Sequence, residues 1–478
     1  MWQPVLTISG YILGILGLIM LIPAGFEIWQ SGTTWSPFLA AAVASMFFGF
    51  SLFLSNNTKF EKINIKQAYL VTTISWLLVC VFAAVPFYLY GVVQNPSDAW
   101  FEAMSGLTGT GATIISNVEA LPKPILLWRS LLNGIGGLGV VIFAVALLPI
   151  LGIGGMQMFQ RENSDSNDKF MPKFSYIAKR IVAVYLTLIG ICGAAYILCG
   201  MGWFDAVNHA ISVIGTGGFS TKNASIGAFH SLPIELLTML FMLAGAVPMT
   251  AYILLLRGSP ADRNKQIITL LRIVFYVGLS LTLYLYFADN KAFFEALRHS
   301  YFTVISIVTT TGLASTDYIA WGGWVTTLIL MLSLCGGCTG STGGSIKIFR
   351  WQVVFAFLRK SLLSAVEPNR VIPIKIGTTN LSEKVSISVF VYLLSFLISL
   401  IVLTLIVSLD GADFATAFAA VMACITNVGM GAVESIGPNG NYAFFAPSTK
   451  CILTFAMFLG RLEVITVLVI FSKSFWRR

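Results

Sequence analysis

The sequence contains few charged residues and few of the side chains that catalyse reactions. Only 10% of its 478 residues are Asp, Glu, Lys or Arg, against roughly 25% in an ordinary soluble domain. Its three histidines, His209, His230 and His299, do not have the spacing of metal ligands. The sequence shows no pattern of a nucleophile and a base. We therefore expect neither an enzyme nor an organic cofactor.

The cysteines do not predict disulfide bonds. There are seven, an odd number, and they are scattered and mostly lie in apolar stretches. Cys335 and Cys338 have the spacing of a metal-binding pair, but no second Cys or His pair accompanies them. We therefore favour packing of small residues in this segment over a metal site.

Long apolar runs make up most of the chain. Hydrophobic residues account for 57% of it and the mean hydropathy is +0.85, which indicates an integral membrane protein. A membrane-crossing helix needs about 20 apolar residues. We do not expect the first apolar run to be a cleaved signal peptide, because no basic residue precedes it and no small-residue cleavage site is evident near Ala24. The sequence predicts ten spans: 4–27, 36–55, 67–91, 125–150, 181–201, 233–256, 270–288, 324–356, 385–409 and 449–472.

The basic residues predict the orientation in the membrane, because Lys and Arg are enriched in cytoplasmic loops. Of 29 basic residues, 22 lie on one side, which we assign to the cytoplasm together with both termini. Their distribution follows membrane topology, so we expect contact with lipid and no nucleic-acid partner. These residues are Lys59, Lys62, Lys66, Arg161, Lys169, Lys173, Lys179, Arg180, Arg257, Arg263, Lys265, Arg272, Lys347, Arg350, Arg359, Lys360, Arg370, Lys375, Lys384, Lys473, Arg477 and Arg478.

The outer side is predominantly acidic. It has a net charge of −6, against +15 for the cytoplasmic side. A negative outer mouth would concentrate cations and repel anions. Attraction to anionic lipids explains the positive inner face but not the negative outer face. The outer acids are Glu27, Asp98, Glu102, Glu119, Asp205, Glu235, Asp289, Glu295, Asp317, Asp410, Asp413 and Glu434.

Four hairpins rich in Thr and Gly interrupt the apolar pattern, each between two predicted spans. Glycine reaches backbone angles that can turn successive carbonyls toward one axis, and threonine adds an uncharged hydroxyl. Four such hairpins can form a ring of carbonyls that replaces the water around an ion, so the sequence predicts an ion pore. The hairpins cover residues 107–113, 214–220, 308–314 and 426–431, with equivalent glycines at Gly111, Gly217, Gly312 and Gly429.

An apolar segment too short to cross the membrane precedes each hairpin. Acids cluster at the starts of these segments and favour helix N-termini, so we expect half-helices whose negative C-terminal ends point to the membrane centre. Four interfacial helices with polar turns are the alternative. We disfavour it because irregular backbone at that depth needs protein or a water-filled cavity around it. The segments are about 98–109, 204–214, 292–308 and 412–425.

The expected fold class is an all-α polytopic membrane protein. Two N-terminal spans precede four span–pore-loop–span repeats around a pseudo-fourfold pore. Internal repeats of this kind often place the binding site at the interface between repeats. The expected segments are 1–66 for the extra pair of spans and 67–155, 175–258, 266–360 and 383–478 for the repeats.

Several motifs resemble the Trk/Ktr/HKT superfamily of potassium transporters, some plant members of which carry sodium. Within it the bacterial Trk membrane subunit is the most similar. The resemblance covers nearly the whole chain, including the two extra N-terminal spans. The motifs are GIGGLGVV at 134–141, LGIGGMQ at 151–157, CTGSTGGSIK at 338–347 and GRLE at 460–463.

The resemblance implies potassium uptake across a bacterial cytoplasmic membrane by a homodimer with a TrkA-like, nucleotide-binding regulatory ring on the cytoplasmic side. All four equivalent positions are glycine, whereas sodium-selective relatives tend to have serine at the first, which favours potassium. Gly109, Gly215 and Met430 depart from the family pattern of hydroxyl residues and a proline. The implied potassium filter is Thr108, Gly109, Thr110, Gly111, Ile214, Gly215, Thr216, Gly217, Thr309, Thr310, Thr311, Gly312, Thr426, Asn427, Val428 and Gly429.

Residues 335–345 interrupt the eighth span, because five of these eleven residues are glycine. Each glycine costs about 1 kcal/mol relative to alanine in a helix, so we expect an intramembrane loop lining the cavity beneath the filter. Close helix packing through small residues is the alternative. The predicted gate is Gly336, Gly337, Thr339, Gly340, Ser341, Thr342, Gly343, Gly344 and Arg461.

Arg461 lies inside the tenth span, where a charge costs about 2.5–3.5 kcal/mol on insertion. Glu463 is about 200° away around a helix, so the two cannot pair directly. One interpretation of Arg461 is a buried ion pair with another span. The resemblance implies a different one, a positive barrier that faces the pore beside the glycine loop.

Three functions stay open at this point. We favour a gated potassium pore. A sodium-permeable or sodium- or proton-coupled secondary transporter on the same scaffold is the alternative; coupling usually relies on membrane-embedded acids, and Glu463 is the one candidate. A membrane enzyme or assembly subunit is disfavoured by the four hairpins.

Overall fold

The computed structural model describes residues 2–55, 64–146, 170–256, 265–370, 372–376 and 379–477. Several predicted features lie outside the described residues: the motif at 151–157, the ends of the segments 67–155 and 175–258, and the basic residues Lys59, Lys62, Arg161, Lys169, Arg257, Arg263 and Arg478.

The described chain is mostly helical. Its one small sheet is an antiparallel pair, β1 (Lys375–Ile376) and β2 (Thr379–Asn380). The helices are α1 (Trp2–Trp29), α2 (Ser36–Leu54), α3 (Ile65–Leu89), α4 (Pro96–Thr108), α5 (Lys123–Ala146), α6 (Phe170–Leu198), α7 (Trp203–Ile214), α8 (Leu232–Ala246), α9 (Met249–Leu256), α10 (Lys265–Ala288), α11 (Phe293–Val308), α12 (Gly323–Ser333), α13 (Ile348–Val366), α14 (Glu383–Leu409), α15 (Phe414–Ile425), α16 (Pro447–Arg461), α17 (Val464–Leu468) and α18 (Lys473–Trp476).

Membrane-crossing helices dominate this architecture. Within the described residues, seven helices are long and apolar enough to span a bilayer, or up to nine if each of two bent helix pairs counts as one span. The N-terminal pair α1 and α2 packs closely, because glycines meet at the contact. A Cβ on Gly10 would lie 2.6 Å from the carbonyl oxygen of Gly49.

Four short helices, α4, α7, α11 and α15, precede the four hairpins. Their bounds differ from the predicted half-helices by at most two residues. The starts have helix-initiating residues: Pro96 opens α4, and the Asp413 side chain accepts a hydrogen bond from the Thr416 N–H at the start of α15. The half-helices are 12 to 16 residues long and are therefore too short to cross a membrane.

Two predicted spans are not continuous. The predicted span 233–256 is bent, because α8 and α9 meet at 92°. Val247 precedes Pro248 and has extended backbone, as residues before proline prefer. The predicted span 449–472 is bent as well, since α16 and α17 meet at 111° and Glu463 has φ +65°. The predicted interruption of 324–356 is present between α12 and α13.

The apolar core has two main parts. One contains residues of the N-terminal pair and of repeats 1 and 4, such as Phe101 and Phe396. The other contains residues of repeats 2 and 3, such as Met242 and Phe302. The hairpins lie where these parts meet, because Ile425 at the end of α15 belongs to the first and nearby Val428 to the second.

Candidate functional site

The four hairpins share one backbone conformation. Each contains two residues with left-handed backbone, separated by one residue. Such angles are unfavourable for residues with a Cβ, so their fourfold repetition marks equivalent positions. The first residues are Gly109, Thr216, Thr310 and Asn427, with φ of +62°, +49°, +57° and +54°. The second are Gly111, Gly218, Gly312 and Gly429, with φ of +80°, +77°, +69° and +78°.

This pattern corrects the register predicted for the second hairpin. Gly218, not Gly217, is equivalent to Gly111, and Ile214 is the last residue of α7 rather than part of the hairpin turn. The N–H of Gly217 donates to the Ser212 carbonyl at 2.9 Å, as the N–H of Thr110 does to Ser105. A serine six residues before the glycine, present in repeats 1, 2 and 3, is the sequence signal that gives this register.

The hairpins form a closed ring. A Cβ on Gly111 would lie 2.8 Å from the carbonyl oxygen of Gly217 in the next repeat. The three other glycines of the ring are equally close to the next repeat, and the last one returns to the first. The order of contacts is Gly111 to Gly217, Gly218 to Thr311, Gly312 to Val428 and Gly429 to Thr110. We call these four hairpins the hairpin ring.

Glycine is required in the ring for two reasons, the left-handed backbone and the absence of space for a Cβ. The ring brings main-chain carbonyls and the C-terminal ends of four half-helices to one place. Both carry partial negative charge. Threonine hydroxyls are bonded inside the hairpins, as between Thr108 and Thr110 at 2.7 Å and Thr309 and Thr311 at 2.8 Å. Chemically, the arrangement can surround a cation without an ionised ligand.

Three of the acids expected at the outer mouth are instead in ion pairs that hold half-helices. Glu102 of α4 is fully buried and binds Arg129 of α5 at 2.8 Å. Asp98, also in α4, binds Lys450 of α16 at 2.8 Å. Glu235 of α8 binds Arg298 of α11 with two contacts of 2.6 Å. These carboxylates therefore contribute less free negative charge to the mouth than the sequence count indicates.

A fourth acid stays exposed and joins two helices outside the membrane-spanning segments. Asp410 follows α14 and accepts hydrogen bonds from Ser448 at 2.5 Å and from Thr449 at the start of α16. These hydrogen bonds, chiefly that from Ser448, lower the pKa of Asp410.

The glycine loop at 335–345 lies against one side of the hairpin ring, which we call the inner side because it is the predicted cytoplasmic side. The Thr342 hydroxyl accepts a hydrogen bond from the Thr216 hydroxyl at 3.2 Å, which joins the loop to the second hairpin, and donates to the carbonyl of Ile214 at the end of α7 at 3.0 Å. The Gly344 N–H donates to the Thr310 hydroxyl of the third hairpin at 2.7 Å. A Cβ on Gly344 would lie 2.8 Å from that of Asn427 in the fourth hairpin. The loop therefore contacts three of the four hairpins.

Arg461 lies beside the remaining hairpin. Its side chain is buried, Nη1 donates to the Thr342 carbonyl at 2.9 Å, and Nη2 lies close to Gly109. Among the described residues, Nε and Nη2 have no hydrogen-bond partner. The ion pair considered for this position instead joins Glu463 to Arg350 at 2.6 Å, because α16 ends at Arg461 and the turn redirects Glu463.

The other end of the loop binds the break between α8 and α9. A broken helix leaves carbonyl and N–H groups unpaired. Here the Cys338 N–H donates to the Ala246 carbonyl at 3.0 Å, and the Gly340 carbonyl accepts from the Met249 N–H at 3.2 Å. The predicted gate residues Gly336 to Gly344 thus form a single turn-rich segment between the hairpin ring and this break. Sequence reasoning did not predict the contact with α8 and α9, although Pro248 marks the break.

Comparison with known proteins identifies the family. The family profile of TrkH, described as a cation transport protein, matches residues 36–259 and 286–478. The chain belongs to the TrkH family. It is therefore a transporter and not an enzyme, and the resemblance and the all-α polytopic fold class are both confirmed.

Full-length relatives support this assignment. The chain is 36% identical to the Trk system potassium uptake protein TrkI of Halomonas elongata, over 100% of this chain and 97% of that protein. It is 33% identical to the Trk system potassium uptake protein TrkH of Escherichia coli K12, over 92% and 91% of the two chains. The crystal structure of the potassium transporter TrkH from Vibrio parahaemolyticus superposes with a TM-score of 0.92 at 30% identity, covering all of both chains.

Proposed function

We propose that this protein takes up potassium across a bacterial cytoplasmic membrane through a gated pore, as the membrane subunit of a Trk system. The closed hairpin ring carries this proposal, since it offers carbonyl oxygens and helix C-termini to a dehydrated cation. The relatives are potassium uptake proteins of Trk systems, which supports potassium as the transported ion.

In each hairpin, the proposed filter consists of four consecutive residues, the last of which is the second residue with left-handed backbone. With the corrected register it comprises Thr108 to Gly111, Gly215 to Gly218, Thr309 to Gly312 and Thr426 to Gly429. Ile214 is no longer included. Glycine at all four equivalent positions favours potassium over sodium, and sodium permeation is the alternative outcome of the test below.

The test replaces Gly312 by Ser. A Cβ at φ +69° would overlap the Val428 carbonyl oxygen, so the ring must distort. We expect the potassium-to-sodium flux ratio of the purified protein in liposomes to fall about tenfold, which corresponds to ~1.4 kcal/mol of lost discrimination. Gly323→Ser is the matched control, because no atom lies within 4 Å of a Cβ added there. A normal ratio in folded Gly312→Ser would contradict the filter.

The proposed gate is the glycine loop together with Arg461. Between them they contact all four hairpins on the inner side, where an obstruction would stop ions that have passed the filter. The positive charge of Arg461 adds an electrostatic barrier to a cation. Movement of the loop away from the ring would remove both.

The coupled-transporter alternative needs a membrane-embedded acid that binds the coupling ion. Glu463 was the candidate, and its carboxylate is paired with Arg350. This pairing favours the pore. We also propose a homodimer, cytoplasmic termini, and a TrkA-like nucleotide-binding ring that docks on the basic cytoplasmic face. The names of the Trk system relatives support a partner, because a system has more than one component.

A further inference from the structure

The outer edge of the hairpin ring has its own set of hydrogen bonds. In every repeat, the carbonyl two residues after the second left-handed glycine accepts a hydrogen bond from the preceding repeat. The four bonds run in a cycle, so each repeat holds the next. They are Tyr442 N–H to Thr113 at 2.9 Å, Arg129 Nη1 to Ser220 at 3.1 Å, Gly227 N–H to Ala314 at 3.1 Å and Tyr318 hydroxyl to Gly431 at 2.7 Å.

The donors are of two kinds. The first and third hairpins are held by main-chain N–H groups, which side-chain substitution does not remove. The second and fourth hairpins are held by the side chains of Arg129 and Tyr318. In the cyclic order these two hairpins face each other across the ring. The side-chain donors to these four carbonyls therefore act on one diagonal of the ring, while Arg129 Nη2 also donates to the Thr113 hydroxyl of the first hairpin at 3.3 Å.

Both donors are fixed by their surroundings. Tyr318 is 1% exposed, so its hydroxyl has no competing water. Arg129 is 2% exposed, its Nε binds Glu102 at 2.8 Å, and its guanidinium lies 4.0 Å from the centre of the Phe219 ring. A carbonyl that accepts a bond from such a rigid donor resists inward movement.

We propose that Tyr318 and Arg129 are positioning residues for ion selectivity. By holding the outer carbonyls of the fourth and second hairpins, they keep the ring from contracting around the smaller sodium ion. The inference rests on the proposed filter, since it assigns these residues the task of fixing its width. Neither side chain needs to touch the ion.

The test measures the potassium-to-sodium flux ratio of purified full-length protein in liposomes. Tyr318→Phe removes one hydroxyl and keeps the aromatic side chain in place. Arg129→Lys keeps the charge beside Glu102 and removes the planar fork that reaches Ser220. Each substitution should lower the ratio about threefold to tenfold, the effect of one net hydrogen bond, with potassium flux itself little changed.

Tyr196→Phe is the matched control. Tyr196 is also buried and its hydroxyl bonds Thr238 at 2.8 Å, away from the hairpins, so its ratio should equal that of the unmodified protein. An equal loss in the control would overturn the proposal, because it would reflect general destabilisation. A normal ratio in both Tyr318→Phe and Arg129→Lys, with a reduced ratio in Gly312→Ser, would overturn it while leaving the filter intact. A normal ratio in all three would reject both.

Discussion

The outer and inner sides of the hairpin ring are held in different ways. On the outer side, hydrogen bonds join neighbouring repeats at every seam, as between Asn117 and Asn223 at 3.0 Å. On the inner side, the contacts are made by a glycine loop and by Arg461, which keeps two donor atoms without a hydrogen-bond partner among the described residues. On the outer side the repeats are joined in a closed cycle of hydrogen bonds, and on the inner side a loop of the third repeat lies against the hairpins.

This difference has an energetic meaning. The loop is attached to the hairpins by few hydrogen bonds, each worth about 0.5–1.5 kcal/mol for neutral groups, so it can be displaced without breaking the bonds between repeats. Each hydrogen bond on the outer side links two neighbouring repeats, and breaking one would leave a buried polar group without a partner. We infer that the outer side fixes the geometry of the ion path while the inner side is free to change it.

The largest expected effect on ion flux comes from changes on the inner side. Deleting Gly340 to Gly343, or replacing Arg461 by Ala, should raise basal potassium flux in liposomes about tenfold to hundredfold without any regulator. The estimate is the effect of losing a charged hydrogen bond of about 1.5–3 kcal/mol, such as that from Arg461 to Thr342.

Both variants must match the unmodified protein in size-exclusion chromatography for this comparison to be valid. Basal flux at or below the unmodified level in folded variants would contradict the gate and favour a structural role for Arg461.

The next effect breaks the outer side and should appear in stability. Glu102→Gln leaves the buried Arg129 without its carboxylate, so the free energy of unfolding should fall by about 3–5 kcal/mol. Chemical unfolding in detergent measures it. Glu383→Gln is the control, because it breaks an ion pair with Lys360 whose Glu383 side chain is 76% exposed, and should cost at most about 1 kcal/mol. Equal losses of unfolding free energy in the two variants would mean that the stability of the outer side does not depend on its buried ion pairs.

A smaller effect sharpens the account of the inner side. Pro248→Ala allows α8 to continue as a helix, so the carbonyls of Gly245 and Ala246 would bond within the helix and release the loop. Basal potassium flux should rise about threefold to tenfold, as expected for one or two weak hydrogen bonds. Pro23→Ala, which lies inside α1 and outside the hairpins, should leave the basal potassium flux unchanged. Equal flux in the two variants would show that the loop does not depend on the break.

The sequence predicted the repeated parts of the molecule well and the contacts between repeats poorly. The half-helices were correct to within two residues because their acids and short apolar lengths are local signals. The second hairpin was displaced by one residue because Gly217 and Gly218 are adjacent, and composition alone does not distinguish which has left-handed backbone.

Ion pairs could not be predicted in the same way. Asp98 and Lys450 are 352 positions apart, and only the closure of the repeats brings them together. The bend at Glu463 likewise depends on tertiary packing, since its surrounding sequence is apolar and compatible with a helix.

The smallest expected effect asks whether a partner acts on the inner side. Arg359 and Lys375 are exposed on the proposed cytoplasmic face, whereas Lys360 is already paired with Glu383 and is a poor site for substitution. Reversing both charges, Arg359→Glu and Lys375→Glu, should weaken copurification with a TrkA-like ring several-fold, since rim charges contribute roughly 0.2–1 kcal/mol each. The reduction should fade as salt rises.

Lys123→Glu is the control for this surface, because Lys123 is exposed at the start of α5 on the proposed outer side, out of reach of a cytoplasmic protein. Loss of binding in this control would place the TrkA-like regulator on the other face of the protein and reverse the proposed orientation. Unchanged binding in Arg359→Glu/Lys375→Glu at physiological salt would move the docking site to another part of the cytoplasmic face. Weakened binding only in the double variant would place the docking site of the regulator near α13, the helix that directly follows the glycine loop. The regulator would then lie on the inner side of the hairpin ring, where the proposed gate moves.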